Sequence, residues 1–454
     1  MFLKRKIYNL LLEWKNDLPR KTAILIEGVR RIGKSETVKE FGKNEYKSYI
    51  LIDFSHSNKE IESLFLNHLN DLDKFFQLLQ ELTKTTLYED NSLIIFDEVQ
   101  LFPKARQAIK HLVADGRYDY IETGSLISIH DNVKNILIPS EEHSIKMYPM
   151  DFEEFLWALN ENDLIELIKN HFSEKLPLPQ KEHKKAMRLF KQYMIIGGMP
   201  QSVKAFVIKP NQYSESDKYK LEILNTYRKD IKKIKYSYKT KIMNLFDNIP
   251  AFLSKHEKRV VYKEINKNYR SDRYYDANFW LEDSMMVNQC FSSTDPSVGL
   301  SMTVNESYMK TYMGDTGLLF TLTFENGFIN KDKLYHQILI DNLHINEGML
   351  FENVIAQTLV ANGYKLYFYR NYNKILKKID IEVDFLISYP YKSNYKITPI
   401  EVKSSNKYQI NSLNKFIAKY KSIIGHSFVI HTKELKVDKN IIYIPAYMTF
   451  CLKG

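Results

Sequence analysis

Two short apolar runs, Ala23 to Ile26 and Leu93 to Phe96, and a third strand pattern, Tyr118 to Ile121, punctuate the N-terminal third. The first two hold no polar residue. Uninterrupted runs of this length belong to strands buried on both faces, as in a parallel sheet. Helical patterning follows the first of them, in ETVKEFGK. Before it, MFLKRKIYNLLLEWKNDLPRK has the spacing of an amphipathic helix, too charged after Leu12 for a signal peptide. From about Asp151 to Lys235 the pattern is helical, with the loop IGGMP at Ile196 to Pro200. Val260 to Cys290 predicts helix, turn, helix, with Phe279, Trp280, Leu281 and Met285 inward, and two short strands are expected around Phe291 and at 310–313.

The last third changes rhythm again. Gly348 to Gly363 predicts a helix closed by Asn-Gly. Strands are predicted over Tyr364 to Tyr369, Ile381 to Ile387 and Pro399 to Ser405, and a helix over Asn411 to Lys421. The polar stretch YPYKSNYKITP is expected as a hairpin connection. In the strand PIEVKSS, Glu401 and Lys403 share one face and Ile400 and Val402 the other. Such a strand is either an edge with a solvated face or part of a metal-dependent site.

Composition narrows the function classes. The chain has 454 residues, room for about three domains. No apolar run reaches the ~18–20 residues of a membrane helix. The two cysteines, Cys290 and Cys451, form no CxxC, which argues against a disulfide framework or a cysteine zinc site and fits a reducing cytoplasm. A net charge of +10 favours polyanions such as DNA or RNA, but Lys, Asn, Ile and Tyr are abundant everywhere, so charge alone does not decide.

The first strand runs into GVRRIGKS, Gly28 to Ser35, and then a helix. This is GxxxxGKS in its strand–loop–helix setting. Gly28 and Gly33 let the backbone wrap a phosphate, with Arg31 and Glu36 in or beside the loop. Lys34 reaches the β- and γ-phosphates, and Ser35 ligates Mg2+. The second strand ends in Asp97 and Glu98, where Asp97 is expected to hold Mg2+ and Glu98 to orient and deprotonate the attacking water. The third runs into ETGS, where Thr123 or Ser125 is expected to touch the γ-phosphate or that water. The guanine-reading NKxD motif is missing from the sequence, so ATP is preferred to GTP. Arg30, Arg31 and Arg228 are candidates for sensing the γ-phosphate.

These motifs, with PMDFEEFLWAL, GGMP and YMGDTGLL in this order, resemble a prokaryotic family of AAA+ ATPases that carry a C-terminal region known as domain of unknown function 4143. The resemblance covers nearly the whole chain. It implies a P-loop NTPase parallel sheet over 1–145, a helical lid over 146–240, a winged-helix domain over 241–330 and a further α/β domain over 331–454. By resemblance to related switch ATPases, Gly198 and Pro200 line the adenine, or the loop is an ordinary helix–helix turn. On the winged-helix expectation, Arg270, Arg273 and Tyr274 face DNA, or the module is a protein-packing surface. The basic stretch YRKDIKKIKYSYKTK is a nucleic-acid contact or a solvated helix face. An oligomer with an arginine acting in trans stays open.

The C-terminal order, helix with Glu352, strand, strand with Asp384, strand with Glu401 and Lys403, then helix, resembles the PD-(D/E)xK restriction-endonuclease-like fold. That resemblance implies Asp384 and Glu401 as ligands of Mg2+ or Mn2+, Glu352 as a further ligand or support, and Lys403 as the residue that positions water. Asp384 follows Val383 rather than Pro, a departure from the motif. The whole is expected to be a multidomain α/β, ATP-driven enzyme whose nucleotide state controls a nuclease-like end. The alternative is a nucleotide-dependent switch with an inactive nuclease-like fold.

Overall fold

The computed structural model describes residues 1–17, 22–56, 58–124, 140–210, 212–234, 236–255, 272–325, 335, 347–373 and 378–453. The chain divides into two compact units, Met1–Tyr148 with Asp283–Met285, and Pro149–Glu282 with Met286–Gly454.

The first unit is built on a five-stranded sheet in the order β2-β3-β4-β1-β5. Its strands are β1 (Ala23–Glu27), β2 (Ser48–Asp53), β3 (Ser92–Asp97), β4 (Asp119–Gly124) and β5 (Glu142–Lys146), all paired in parallel. β3 and β4 are buried along their whole length; β3 shows this in the sequence as a continuous apolar run, whereas β4 also buries Asp119, Glu122 and Thr123. Helices α1 (Ile7–Asn16), α2 (Lys34–Glu45), α3 (Lys59–Asn67), α4 (Leu72–Thr83) and α5 (Pro103–Asp115) complete the unit. Phe54, Phe65, Phe75, Phe76 and Phe96 fill one core cluster beside the sheet.

The second unit begins with helices α6 (Phe152–Ala158), α7 (Asn162–Glu174), α8 (Gln180–Ile196), α9 (Pro200–Ile208) and α10 (Tyr213–Lys232). Among its later helices are α11 (Tyr236–Asp247), α12 (Ile249–Leu253), α13 (Asp272–Asp283), α14 (Thr316–Thr323), α15 (Glu347–Ala361) and α16 (Asn411–Lys419). The segment expected as a lid packs within this unit. Phe190 meets Phe351 of α15 edge-on at 6.2 Å. Gln357 of α15 donates to the Tyr193 hydroxyl at 3.0 Å.

The second sheet has eight strands in the order β12-β13-β11-β10-β9-β8-β6-β7. They are β6 (Val287–Ser293), β7 (Val304–Met313), β8 (Leu366–Asn373), β9 (Lys378–Tyr391), β10 (Asn394–Val402), β11 (Ser427–His431), β12 (Lys436–Asp438) and β13 (Ile441–Pro445). The strands expected around Phe291 and 310–313 do form a hairpin, but β6 also pairs in parallel with β8. The boundary expected at residue 330 therefore runs through one continuous sheet. The first part of the helix–turn–helix expected with that hairpin, residues 260–271 with Arg270, lies outside the described residues, as do the side chains of Arg273 and Tyr274.

Two local expectations are corrected. The polar connection YPYKSNYKITP is itself strand, with β9 and β10 turning at Lys392 and Ser393. PIEVKSS is not at an edge: β10 pairs antiparallel with β9 and parallel with β11. Polar sequence hid the hairpin because that end of the ribbon is exposed, and an exposed antiparallel ribbon needs no apolar face. From α15 through β8, β9, β10 and α16 to β11, the order is αβββαβ.

Candidate functional site

Three strand ends of the first sheet bring the phosphate-chemistry residues together. Strand β1 feeds the loop Gly28–Gly33, and α2 begins at Lys34. Gly33 caps α2 in the left-handed region at φ 95°. A side chain at Gly28 would place its Cβ 2.6 Å from the Met147 carbonyl oxygen, so only glycine lets the loop pass there. Arg5 of the N-terminal segment braces this loop, donating to the Ile32 carbonyl at 2.7 Å and the Tyr148 carbonyl at 2.6 Å.

Asp97 is the hub. Its Oδ1 accepts from the Ser35 hydroxyl at 2.8 Å and from the Thr123 hydroxyl. Three hard oxygens from α2, β3 and β4 thus meet at one point, a donor set suited to Mg2+. Glu98 follows in the left-handed region at φ 53°, and the Gln100 side-chain amide donates to it. Lys34 is buried, and its Nζ donates to the carbonyls of Gly28 at 2.9 Å and Val29 at 3.0 Å. Burial pushes the Lys34 ammonium down to about 8, although Glu98 and Asp97 work the other way. A phosphate placed beside this ammonium restores its ordinary value near 10.4. ATP binding at pH 8 should therefore take up roughly half a proton, and almost none at pH 6.5 where Lys34 is already charged. Calorimetry in buffers of different ionisation enthalpy reads the proton count; a count independent of pH would refute this assignment.

The second cluster lies on one face of the eight-stranded sheet. Phe385 of β9 is opposite Ile400 of β10. Extending that register by one residue sets Asp384 opposite Glu401, with side chains on the same face. The Asp384 carboxylate accepts the Val402 N–H at 2.8 Å. Lys403 Nζ donates to Glu401 Oε1 at 2.7 Å. Glu401 Oε2 is buried without a hydrogen-bond partner. Burial first, and then the charge of Asp384, push the Glu401 carboxyl up to about 8, only partly offset by Lys403.

Glu352 takes a different place. The Tyr312 hydroxyl donates to it, and Lys310 Nζ lies 3.5 Å from it. Among the described residues no three His, Cys, Asp or Glu side chains come together as a metal-ligand set. The three-carboxylate cage expected of Glu352, Asp384 and Glu401 is therefore not formed, because Lys310 and Tyr312 of β7 hold Glu352. The residues fit a single cation between Asp384 and Glu401, where the partnerless Glu401 oxygen lies.

A family model described as an AAA domain matches residues 20–156, and one described as domain of unknown function 4143 matches residues 347–448. The chain combines an AAA domain with a domain of unknown function 4143. Between them, domain of unknown function 8612 matches residues 187–328. An uncharacterized protein of Haemophilus influenzae is 27% identical over 154 residues, 33% of this chain and 37% of its own length. The chain thus spans little more than a third of that relative. The Walker-type ATPase PABY2304 of Pyrococcus abyssi is similar at 15% identity and a TM-score of 0.41, over 71% of this chain and 96% of that one. AMPPCP-bound DnaA from Aquifex aeolicus is similar at 13% identity and a TM-score of 0.31, over 75% and 94%.

Within the AAA domain, Gly28, Gly33, Lys34, Ser35, Asp97 and Thr123 are placed at the ends of neighbouring strands and the start of α2. Arg31 and Glu36 are exposed beside the loop, and Ser125 lies outside the described residues. In the second unit, Gly198 is buried, donates its N–H to Asp315 and accepts the Met150 N–H at 2.8 Å. Pro200 opens α9. Arg228 is engaged by Glu325 at 2.7 Å and Asp247 at 3.0 Å. Arg5, Gln100, Tyr312, Lys310 and Glu382 were not singled out from sequence. Only Lys310 left a trace there, as a lysine in a stretch that otherwise reads as a short strand.

Proposed function

We propose that this protein is an ATP-hydrolysing switch whose nucleotide state controls a nuclease-like C-terminal domain acting on nucleic acid. The observation that carries the ATPase half is the meeting of Ser35, Asp97 and Thr123 beside the buried Lys34. On this reading the α2 N-terminus and Lys34 hold the β- and γ-phosphates. Ser35 and Asp97 would hold Mg2+, which would supply neutralisation of developing phosphate charge. Glu98 takes a proton from the attacking water once Gln100 releases it, and the Thr123 hydroxyl orients the γ-phosphate side of the site. Gly198 and Pro200 are assigned to the adenine by resemblance alone.

The αβββαβ order supports the nuclease-like half. Asp384 and Glu401 would hold one divalent cation, which supplies Lewis-acid polarisation of a phosphodiester. Lys403 presents its ammonium to the attacking water and to the charge that develops on phosphorus. The test is cleavage of single- and double-stranded DNA and RNA with Mg2+ or Mn2+, with and without ATP. Wild type should cut and Lys403→Ala should lose ~100-fold or more. Absence of wild-type cleavage on every substrate eliminates the nuclease half.

One observation favours a second reading, a switch whose nuclease-like fold only binds. Lys403 and Lys310 already lie against the carboxylates of the cluster. ATP-dependent nucleic-acid binding without cleavage would support that reading.

A further inference from the structure

The least ordinary residue of the second unit is Lys310. Its side chain is 1% exposed, and it starts from β7, at one edge of the eight-stranded sheet among the described residues. An ammonium taken out of water without counter-charge costs several kcal/mol, so its surroundings must supply charge. They do so from two elements. Nζ lies 3.5 Å from Glu352 Oε1 on α15, 3.5 Å from Glu382 Oε1 and 4.0 Å from Asp384 Oδ1, both on β9. The ring of Phe368 on β8 closes another side, its centroid 5.0 Å away.

This is not the geometry of a lysine paired with one acid. The ammonium has three N–H groups and no acceptor, and it stands among three carboxylates at nearly equal distance. It stands where a cation would sit among them, and with the ammonium in place the three carboxylates form no metal-ligand set. The separations are those of an ammonium, well beyond the 2.0–2.6 Å of a magnesium or calcium bond. Burial works against the charge of Lys310, but Glu352, Asp384 and Glu382 more than offset it and raise its pKa above the ordinary lysine value. Tyr312, two residues along the same strand and on the same face, fixes the far side of Glu352 by donating its hydroxyl.

We propose that Lys310 is a built-in counter-ion that takes the place of a metal among Glu352, Glu382 and Asp384, leaving the sheet room for at most one divalent cation, at Asp384 and Glu401. The first part stands on the Lys310 geometry alone. The limit of one ion rests on the proposed role of Asp384 and Glu401, and the experiment separates the two. Lys310 is here a positioning residue: it holds carboxylates and touches no reacting atom.

The test counts Mn2+ by electron paramagnetic resonance on the full-length, nucleotide-free chain carrying Asp97→Asn, so that the P-loop ion does not contribute. This background should bind one Mn2+ or none. Adding Lys310→Met should add one bound ion and make the melting temperature rise by about 4 °C or more with saturating Mn2+. Adding Glu401→Gln to that double variant should remove the Asp384–Glu401 ion, if present, and leave the new one. An unchanged ion count on Lys310→Met overturns the proposal, as does a second ion bound while Lys310 is intact.

If Lys310→Met fails to fold without metal, Lys310→Met with Glu352→Gln decides. Folding of that charge-balanced variant supports a counter-ion role, and its failure assigns Lys310 to packing and overturns the proposal. A background that binds no Mn2+ removes the Asp384–Glu401 ion and leaves the Lys310 result intact.

Discussion

Gly198→Ala should abolish cooperative folding of the second unit, at a cost above about 4 kcal/mol. A Cβ at this position would lie 2.7 Å from the Met150 nitrogen and 2.9 Å from its carbonyl carbon, with the Met150 oxygen nearer still. Those atoms are backbone, and they are held by the Met150 N–H bond to the Gly198 carbonyl at 2.8 Å. They cannot swing away as a side-chain end can. The Gly198 N–H is also committed to Asp315, whose Oδ1 accepts the Leu318 N–H at 2.9 Å and so caps α14. Moving Gly198 therefore disturbs α6, α9 and α14 together. Denaturant unfolding followed by near-ultraviolet circular dichroism measures this, and an unchanged midpoint with an unchanged slope would refute it. The neighbouring Gly197 at φ 79° should be almost as sensitive, since its Cβ would meet the Gly317 backbone at 2.8 Å.

Glu98→Gln should lower single-turnover ATP hydrolysis by about 100- to 1,000-fold, roughly 3–4 kcal/mol in barrier. ATP affinity should stay within about threefold of wild type, because the phosphate grip belongs to Lys34, Ser35 and the α2 N-terminus. Glutamine keeps the shape of Glu98 and its contact with Gln100, and removes only the capacity to take a proton. Hydrolysis at the wild-type rate would remove Glu98 from the role of base. Equal loss of binding and hydrolysis would assign it to holding the loop instead.

These two expectations differ in where their grounds come from. Glu98 was readable directly, because an apolar run ending in Asp-Glu has one natural place in a parallel sheet. The same holds for GVRRIGKS, where strand, glycines, lysine and serine are local in sequence and in space. Ser35 and Asp97 lie 62 positions apart, yet both sit where the ends of strands are forced together, and their hydroxyl and carboxylate meet at 2.8 Å. Gly198 was legible only as part of a loop, against the adenine or between two helices. Its real constraint comes from Met150 and Asp315, and no local pattern announces a backbone that passes that close.

The carboxylate cluster shows the same limit more sharply. The order of Glu352, Asp384, Glu401 and Lys403 along the chain could be read, and the register of β9 on β10 brings Asp384 and Glu401 side by side. Glu352 was expected as a further ligand or support of the metal, but its partners are Lys310 and Tyr312, about forty residues upstream. That pairing depends on β6 joining β8, a parallel contact between segments that nothing in their separate patterns connects.

Sequence by itself determined the local chemistry: the phosphate loop, the acidic strand end, and two strands that carry an aspartate, a glutamate and a lysine. Each is a short pattern whose physical requirements are met within a few residues. Tertiary structure decided what those groups do to one another. It set β10 inside the sheet rather than at its edge, joined the 287–313 hairpin to the C-terminal strands, and put an ammonium where a metal cage was expected. The reason is that burial and charge compensation are properties of a place, and a place is assembled from segments tens of residues apart.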